Sequence, residues 1–388
     1  MFRSFKIKKD TSLNFILNNI VNQDVQSLFS VLNIIQFTTL CPKYRIINNC
    51  ILPNSFTSNC FSFLGTLIFV FSMSIRVYKL HFNSELNNVS YFMFLSVYYD
   101  GIFYGIGFIM NFIICISQSK NIINFVLTFQ NVHGFLNNDQ SSRWFVFCNW
   151  IIMIAFLCGY NIFAISMNVY MQIPILFIYL SSLTTVFDIN ILYATRVLNL
   201  LKIKIVDWNE RALSNLKMDI SDNSCYCSQM FQSYVNIMKC YNLYKLCFQS
   251  FMLYYVLEIF LHSMVYIQIH IELFAGSISV FDVKVHDLSI LLIICWLIKD
   301  LLWQSLLCYE SESFYMAVQN AQDTCTLILQ TRCSESEKKL YKNVQRLHRS
   351  SFTKIHACGL FYIHAASLLA MMGYLTNYII VLLQFAIL

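Results

Sequence analysis

FYIHAASLLAMMGYLTNYIIVLLQFAIL, residues 361–388, runs without an Asp, Glu, Lys or Arg. A membrane-spanning helix needs about 20 consecutive, mainly apolar residues, and residues 362–386 supply them. The same pattern recurs upstream at 60–79, 91–117, 144–169, 173–200, 248–275 and 286–308, which makes seven spans in all. Residues 24–41 (DVQSLFSVLNIIQFTTLC) are apolar but dotted with Gln and Asn, and Pro42 ends them. They are too short for a span and are expected as a helix lying in the interface. Composition agrees with a bilayer chain. Of 388 residues, 57% are hydrophobic and 12% charged, whereas soluble domains carry about a quarter charged. A secreted enzyme, a disordered tail and a nucleic-acid binder are excluded, and no nucleic acid is expected as a partner. The 15 cysteines form no disulfide framework or zinc spacing.

The few charges orient the chain. The opening MFRSFKIKKD is too polar and basic for a secretory signal, so the first span is expected to act as its own insertion signal. With the N-terminus placed in the cytoplasm, 22 of the 26 Lys/Arg fall inside, only Arg76, Lys79 and Lys284 fall outside or at the outer boundary, and Lys299 lies within a span. Positive residues collect on the cytoplasmic side, so the expected topology is N-terminus in and C-terminus out. The sequon Asn88-Val89-Ser90 falls in a loop this topology places outside, making Asn88 a glycosylation candidate. That orientation is opposite to a G-protein-coupled receptor's. No Asp-Arg-Tyr follows the third span, and no Asn-Pro-x-x-Tyr occurs in the seventh.

The cytoplasmic segments ahead of the fifth and seventh spans read as helices. KIKIVDWNERALSNLK carries Ile203, Val206, Ala212 or Leu213, and Leu216 amid charges. In SESEKKLYKNVQRLHRSSFTKIHACG, Leu340, Val344 and Leu347 stand at i, i+4 and i+7. Residues 219–228 lack periodicity and read as a loop, and 118–143 reads as a short cytoplasmic connection between spans.

On the last span, Asn377, Val381, Gln384 and Leu388 fall on one stripe at about 100° per residue. Side-chain amides in an apolar helix are costly unless they meet water or a polar partner. Around an axis of helix copies both amides would face an aqueous path, with Val381 and Leu388 as dry rings able to gate by dewetting. As glue they would instead hydrogen-bond between packed helices. Tyr378, Leu382 and Phe385 form a second stripe suited to packing on a neighbour.

The tail also carries a motif. Thr376 and Tyr378, five apolar residues from Ile379 to Leu383, then Gln384 and Phe385, preceded by Ala357-Cys358-Gly359-Leu360-Phe361, resemble the insect gustatory receptor family, which is related to the insect odorant receptors. Asn377 stands where that family usually has Thr. The resemblance implies an all-α, seven-transmembrane protein of inverted topology, forming a homotetrameric or heterotetrameric ligand-gated cation channel in the plasma membrane of sensory neurons. The seventh helix would line the pore, with Gln384 and Phe385 at the gate, and cytoplasmic helices would form an anchor. Small-molecule tastant, membrane lipid and permeant cations are the implied partners, with no cofactor. On this reading residues 1–59 are the cytoplasmic N-terminus with its interfacial helix and 60–200 the ligand-binding helices. Residues 201–247 and 309–361 are anchor segments, 248–308 the fifth and sixth spans, and 362–388 the pore helix.

No catalytic motif appears, and His356, His364 and Cys358 match no metal spacing. A ligand pocket is expected between spans in the outer half, with aromatic walls and a few polar groups. Its candidates are intramembrane polar and aromatic residues: Tyr98, Tyr99 and Asp100 before Gly101-x-x-x-Gly105, then Tyr170 and Gln172, Glu258 with His262 one turn on, and Trp296. Taken singly, each also suits plain interhelical packing. Asp188, Lys299 and Asp300 are expected to pair across helices. With 35 Phe, 23 Tyr and few outer carboxylates, bitter plant compounds fit better than sugars. A sugar or fructose receptor of the same channel type, an odorant receptor, a G-protein-coupled receptor and a transporter are the alternatives.

Overall fold

The computed structural model describes residues 19–82, 91–171, 178, 184–215, 224–274, 283–331 and 333–387. Those residues form helices α1 (Gln23–Thr38), α2 (Phe56–Phe82), α3 (Tyr91–Ser117), α4 (Ser119–Phe135), α5 (Asp139–Met171), α6 (Thr185–Asn215), α7 (Ser224–Phe274), α8 (Val283–Gln330), α9 (Glu335–Ser351) and α10 (Ala365–Ile387). Two short antiparallel hairpins accompany them, β1 (Arg45–Ile47) with β2 (Cys50–Leu52) and β3 (His356–Ala357) with β4 (Phe361–Tyr362). The expected all-α class holds.

Among the described residues, five helices are long and apolar enough to cross a membrane, with segments Phe56–Ile75, Leu95–Ser117, Asp139–Phe163, Ser224–Ile271 and Ala365–Gln384. The spans expected at 173–200 and 286–308 are not among them. Their described parts belong to α6 and α8, which carry Asp188 and Arg196, and Lys299 and Asp300. At 1.5 Å per residue, the 51 residues of α7 and 48 of α8 reach about 70–77 Å, more than twice a hydrocarbon core of about 30 Å. At that length α7 runs well beyond its candidate span, and α8 is long enough for a comparable extension.

The extensions pack through aromatic rings. Tyr241 lies 4.7 Å from Phe314 and 5.5 Å from Phe352, and its hydroxyl donates to Thr353 O. Trp208 is fully buried against Tyr234 and donates from Nε1 to Met230 O. Large rings suit such a seam because each buries much apolar area while its polar end finds a backbone partner. Helix α9 begins with a capping box, Ser334 and Glu337 each bonding the other's backbone N–H. Its Leu340 and Val344 are buried and Leu347 half-buried, as its spacing predicted.

Three local expectations need correction. In α6 the buried stripe is Leu201, Ile205, Trp208 and Ala212, while Val206 and Leu213 are exposed. Trp208 sets the register, because the largest ring takes the interface with α7. The segment 118–143 is mostly helix α4, which packs along α7 with Ile122, Val126, Phe129 and Val132 buried. Residues 224–228, expected in a loop, are the first turn of α7. Helix α1, expected as a helix in the interface, is a helix that packs on the rest of the chain. Its Val25, Phe29, Leu32 and Gln36 are buried against neighbouring helices, and Gln36 Nε2 donates to Asn190 on α6.

Of the two glycines expected to permit close approach, only Gly101 does so, since a Cβ there would meet Val77 of α2 at 2.6 Å. Gly105 faces open space. The tight glycine is Gly107, where a Cβ would run into the Tyr254 ring and Phe187.

Candidate functional site

Helix α10 is attached by one face. Met371 and Leu375 are buried, and Tyr378 and Leu382 are half-buried, at i, i+4, i+7 and i+11. About 120° around the helix lie Ala366, Ala370, Gly373, Asn377, Val381 and Gln384, all exposed. The amide stripe therefore faces away from the chain's own body and continues a line of small residues. Phe385 is helical, its side chain outside the described atoms, and Leu388 lies outside the described residues. Ahead of α10, the Ala357-to-Phe361 motif is the β3–β4 hairpin. Cys358 and Gly359 turn it with φ of 48° and 82°, and glycine is the residue that adopts the second value without strain. His356 packs its ring 3.9 Å from that of Tyr362, and the Ser367 backbone N–H donates to His364 Nδ1, so both histidines serve local packing.

The polar candidates of α3 and α7 converge. His262 Nε2 lies 2.9 Å from Asp100 Oδ1, and its Nδ1 lies 3.1 Å from Glu258 O and 3.4 Å from Glu258 Oε1. Tyr104 donates to Glu258 at 3.0 Å, and Tyr99 lies edge-on to the His262 ring at 4.9 Å. Asp100, Glu258 and His262 are all buried, and Tyr98 is half-buried on the same turn as Tyr99. The cluster is closed, satisfying groups that would otherwise be stranded in a low-dielectric interior. Tyr170 is helical with its side chain outside the described atoms. Gln172 and Asn88 lie outside the described residues.

An open cavity of about 610 Å³ lies between α5, α6 and α8. Two aromatic pairs cross it from α5 to α8, Phe156 with Trp303 and Phe163 with Trp296, each with ring centroids 5.9 Å apart. The members of each pair are seven residues from their counterparts, so the pairs stand about 10.5 Å apart along the helices. Small Ala155 and Gly159 leave the α5 side hollow, and a Cβ at Gly159 would meet nothing within 4 Å.

Between the pairs, Lys299 Nζ lies 3.9 Å from the Trp296 ring centre. It bonds Asp188 Oδ2 and Asp300 Oδ1, each at 2.8 Å, and Tyr255 donates to Asp188 Oδ1. Asp188 and Lys299 thus pair across helices as expected, and they also face the cavity. Among the described residues Trp296 Nε1, buried, has no hydrogen-bond partner. Of the expected ligand residues whose side chains are described, only Trp296 lines this cavity. Phe156, Gly159, Phe163 and Trp303 went unselected, although the i, i+7 recurrence of aromatics on both helices was a readable signal.

A bundle of long apolar helices with extended polar-ended partners is a multi-pass membrane fold, and comparison with solved structures gives it a neighbour in fold. The chain is similar to the insect olfactory receptor OR5 from Machilis hrabei, at 12% identity and a TM-score of 0.53, covering 92% of this chain and 99% of that one. The same receptor in complex with eugenol aligns at 13% identity and a TM-score of 0.56, covering 93% and 97%. At that identity the likeness is one of fold, and it extends over nearly the whole of both chains. No family model and no curated protein sequence matches this chain.

Proposed function

We propose that this chain is an insect chemoreceptor of the gustatory type, a ligand-gated, non-selective cation channel rather than an enzyme. The observation that carries this reading is the exposed stripe of α10. A helix held by one face, turning small residues and then Asn377, Val381 and Gln384 away from its own chain, is suited to face its copies around a wet axis. Amides there would meet water, and Val381 would form a dry ring. Four chains arranged so, as homotetramer or heterotetramer, would make a pore whose gate lies at Gln384 and Phe385. With the cytoplasmic excess of Lys/Arg, the N-terminus is inside, and the protein resides in the plasma membrane of sensory neurons.

The tastant would occupy the α5–α6–α8 cavity. That cavity sits toward the Met171 end of α5 and the Val283 end of α8, the outer ends in this topology. Its aromatic walls favour bitter plant compounds over sugars, and the OR5 structure with eugenol is a precedent for a small ligand in this fold. The test is ligand-evoked current from cells expressing the full chain, challenged with plant compounds and sugars. Gln384→Ala should change opening or leak, and Gly159→Leu, whose Cβ would meet nothing within 4 Å and whose branch would take up cavity space, should abolish the response. Unchanged currents in both variants would remove the pore and cavity assignments.

A further inference from the structure

The cavity lining includes one cation, and it is set between two carboxyl groups. Lys299 on α8 is shared by Asp188 of α6 and Asp300 of its own helix. Behind them, Glu258 of α7 contacts His262, which contacts Asp100 of α3. Helix α5, the remaining wall, carries only Asp139 and Arg143 as charged residues, both near its N-terminal end.

Exposure is uneven within the triad. The Lys299 side chain is 29% exposed, against 6% for Asp188 and 2% for Asp300. Lys299 is thus the member closest to the opening, resting on Trp296 as a cation on an aromatic face. Four further rings, Phe156, Tyr160, Phe163 and Trp303, line the same space. A carboxylate that already holds one cation against an aromatic face, in a space walled by rings, has the chemistry that binds organic cations, through ionic attraction to the acid and cation–π attraction to the rings.

We infer that the cavity's ligand is an organic cation, a protonated or quaternary amine with an apolar body, whose charged nitrogen competes with Lys299 for Asp188. The apolar body lies between the two aromatic pairs, and Lys299 is the intramolecular occupant that the ligand displaces. This deepens, and rests on, the assignment of the cavity as the tastant site.

The test compares benzyltrimethylammonium with neopentylbenzene, its uncharged carbon isostere, for binding to the full chain in lipid nanodiscs, with binding to empty discs subtracted. The cation should bind about tenfold or more tightly than the isostere, the span expected for ionic and cation–π contacts in a partly desolvated site. Asp188→Asn, which keeps the shape and an acceptor oxygen, should weaken the cation about tenfold and leave the isostere unchanged. Lys299→Met should strengthen the cation, because the competing charge is gone. A merely structural pair would instead weaken both probes in both variants.

Equal affinities for the two probes, or equal losses in Asp188→Asn, would overturn the inference. Failures are separable through Gly159→Leu. If the isostere binds and Gly159→Leu removes it, the cavity stands as a ligand site whatever the cation does. If neither probe binds, or Gly159→Leu changes nothing, the cavity assignment falls and the inference with it.

Discussion

Gly105 and Gly107 lie two residues apart on α3, and alanine should have opposite effects at them. At Gly107 a methyl group would collide with Tyr254 Oη and Cζ and with Phe187 Cζ. Tyr254 cannot yield freely. Its hydroxyl donates to Phe103 O at 3.0 Å, its ring stacks on Phe103 at 4.9 Å, and Phe187 packs at 5.2 Å on its other side. Overpacking of a filled interior costs about 1–3 kcal/mol, and losing the hydroxyl bond adds about 1 kcal/mol. Gly107→Ala should therefore destabilise by about 2–4 kcal/mol. At Gly105 nothing lies within 4 Å of the new methyl, and alanine gains up to about 1 kcal/mol of helix propensity. Thermal unfolding of the purified full chain in detergent, followed by tryptophan fluorescence, reads both. Gly107→Ala should lower the midpoint and Gly105→Ala should hold or raise it, and Tyr254→Leu should recover part of the Gly107→Ala loss. Equal effects at the two glycines, or no recovery by Tyr254→Leu, would refute the packing of α3 on α7.

Three more outcomes follow from α4, α6 and α9. Lys204 is fully buried, bonding Leu136 O at 3.0 Å and Asp207 at 2.9 Å. Lys204→Met should cost about 3–5 kcal/mol by leaving Asp207 unpaired, and Lys204→Met with Asp207→Leu should recover most of it, read as detergent melting midpoints in a double-mutant cycle. His133 on α4 has its pKa lowered by burial and, secondarily, by Lys204. The unfolded chain therefore binds this proton more readily, so stability is complete above about pH 6.5 and declines as pH falls toward the lowered folded value. His133→Phe, which keeps the stacking on Phe129, should flatten that decline in a pH series of melting midpoints. Ser334→Ala removes the hydroxyl half of the α9 capping box, leaving Glu337 to accept from the residue-334 N–H, and should cost about 1 kcal/mol, seen as faster hydrogen exchange across Glu335–Lys339.

What could be read from the residues followed their periodicity and chemistry. The span of α10, the stripe of α9 and the pairing of Glu258 with His262 are local patterns at helical spacing, and each lies where spacing placed it. Asp188 and Lys299 were legible as partners because two charges in apolar helices have few other ways to be satisfied. Less accessible was anything set by which helices become neighbours. Apolar residues surround α6 on several faces, so only the demand of Trp208 for the α7 seam chose its register. Helix α4 carried a readable 122–126–129 stripe, yet its low charge and position between spans disguised it as a connection. The cavity depends on α5 standing off from α6 and α8, a relation between distant segments that no single stretch encodes, although Gly159 and the seven-residue spacing of Trp296 and Trp303 are its local traces.

The central claim is that this chain itself forms a ligand-gated pore. Its most direct test is to reconstitute the purified full-length protein alone into planar bilayers and record current during application of plant compounds and sugars. Ligand-evoked, cation-carried unitary currents, altered by Gln384→Ala and absent in Gly159→Leu, are the predicted result. Silent bilayers, alongside responses to the same compounds in cells that vanish when G proteins are blocked, would contradict it.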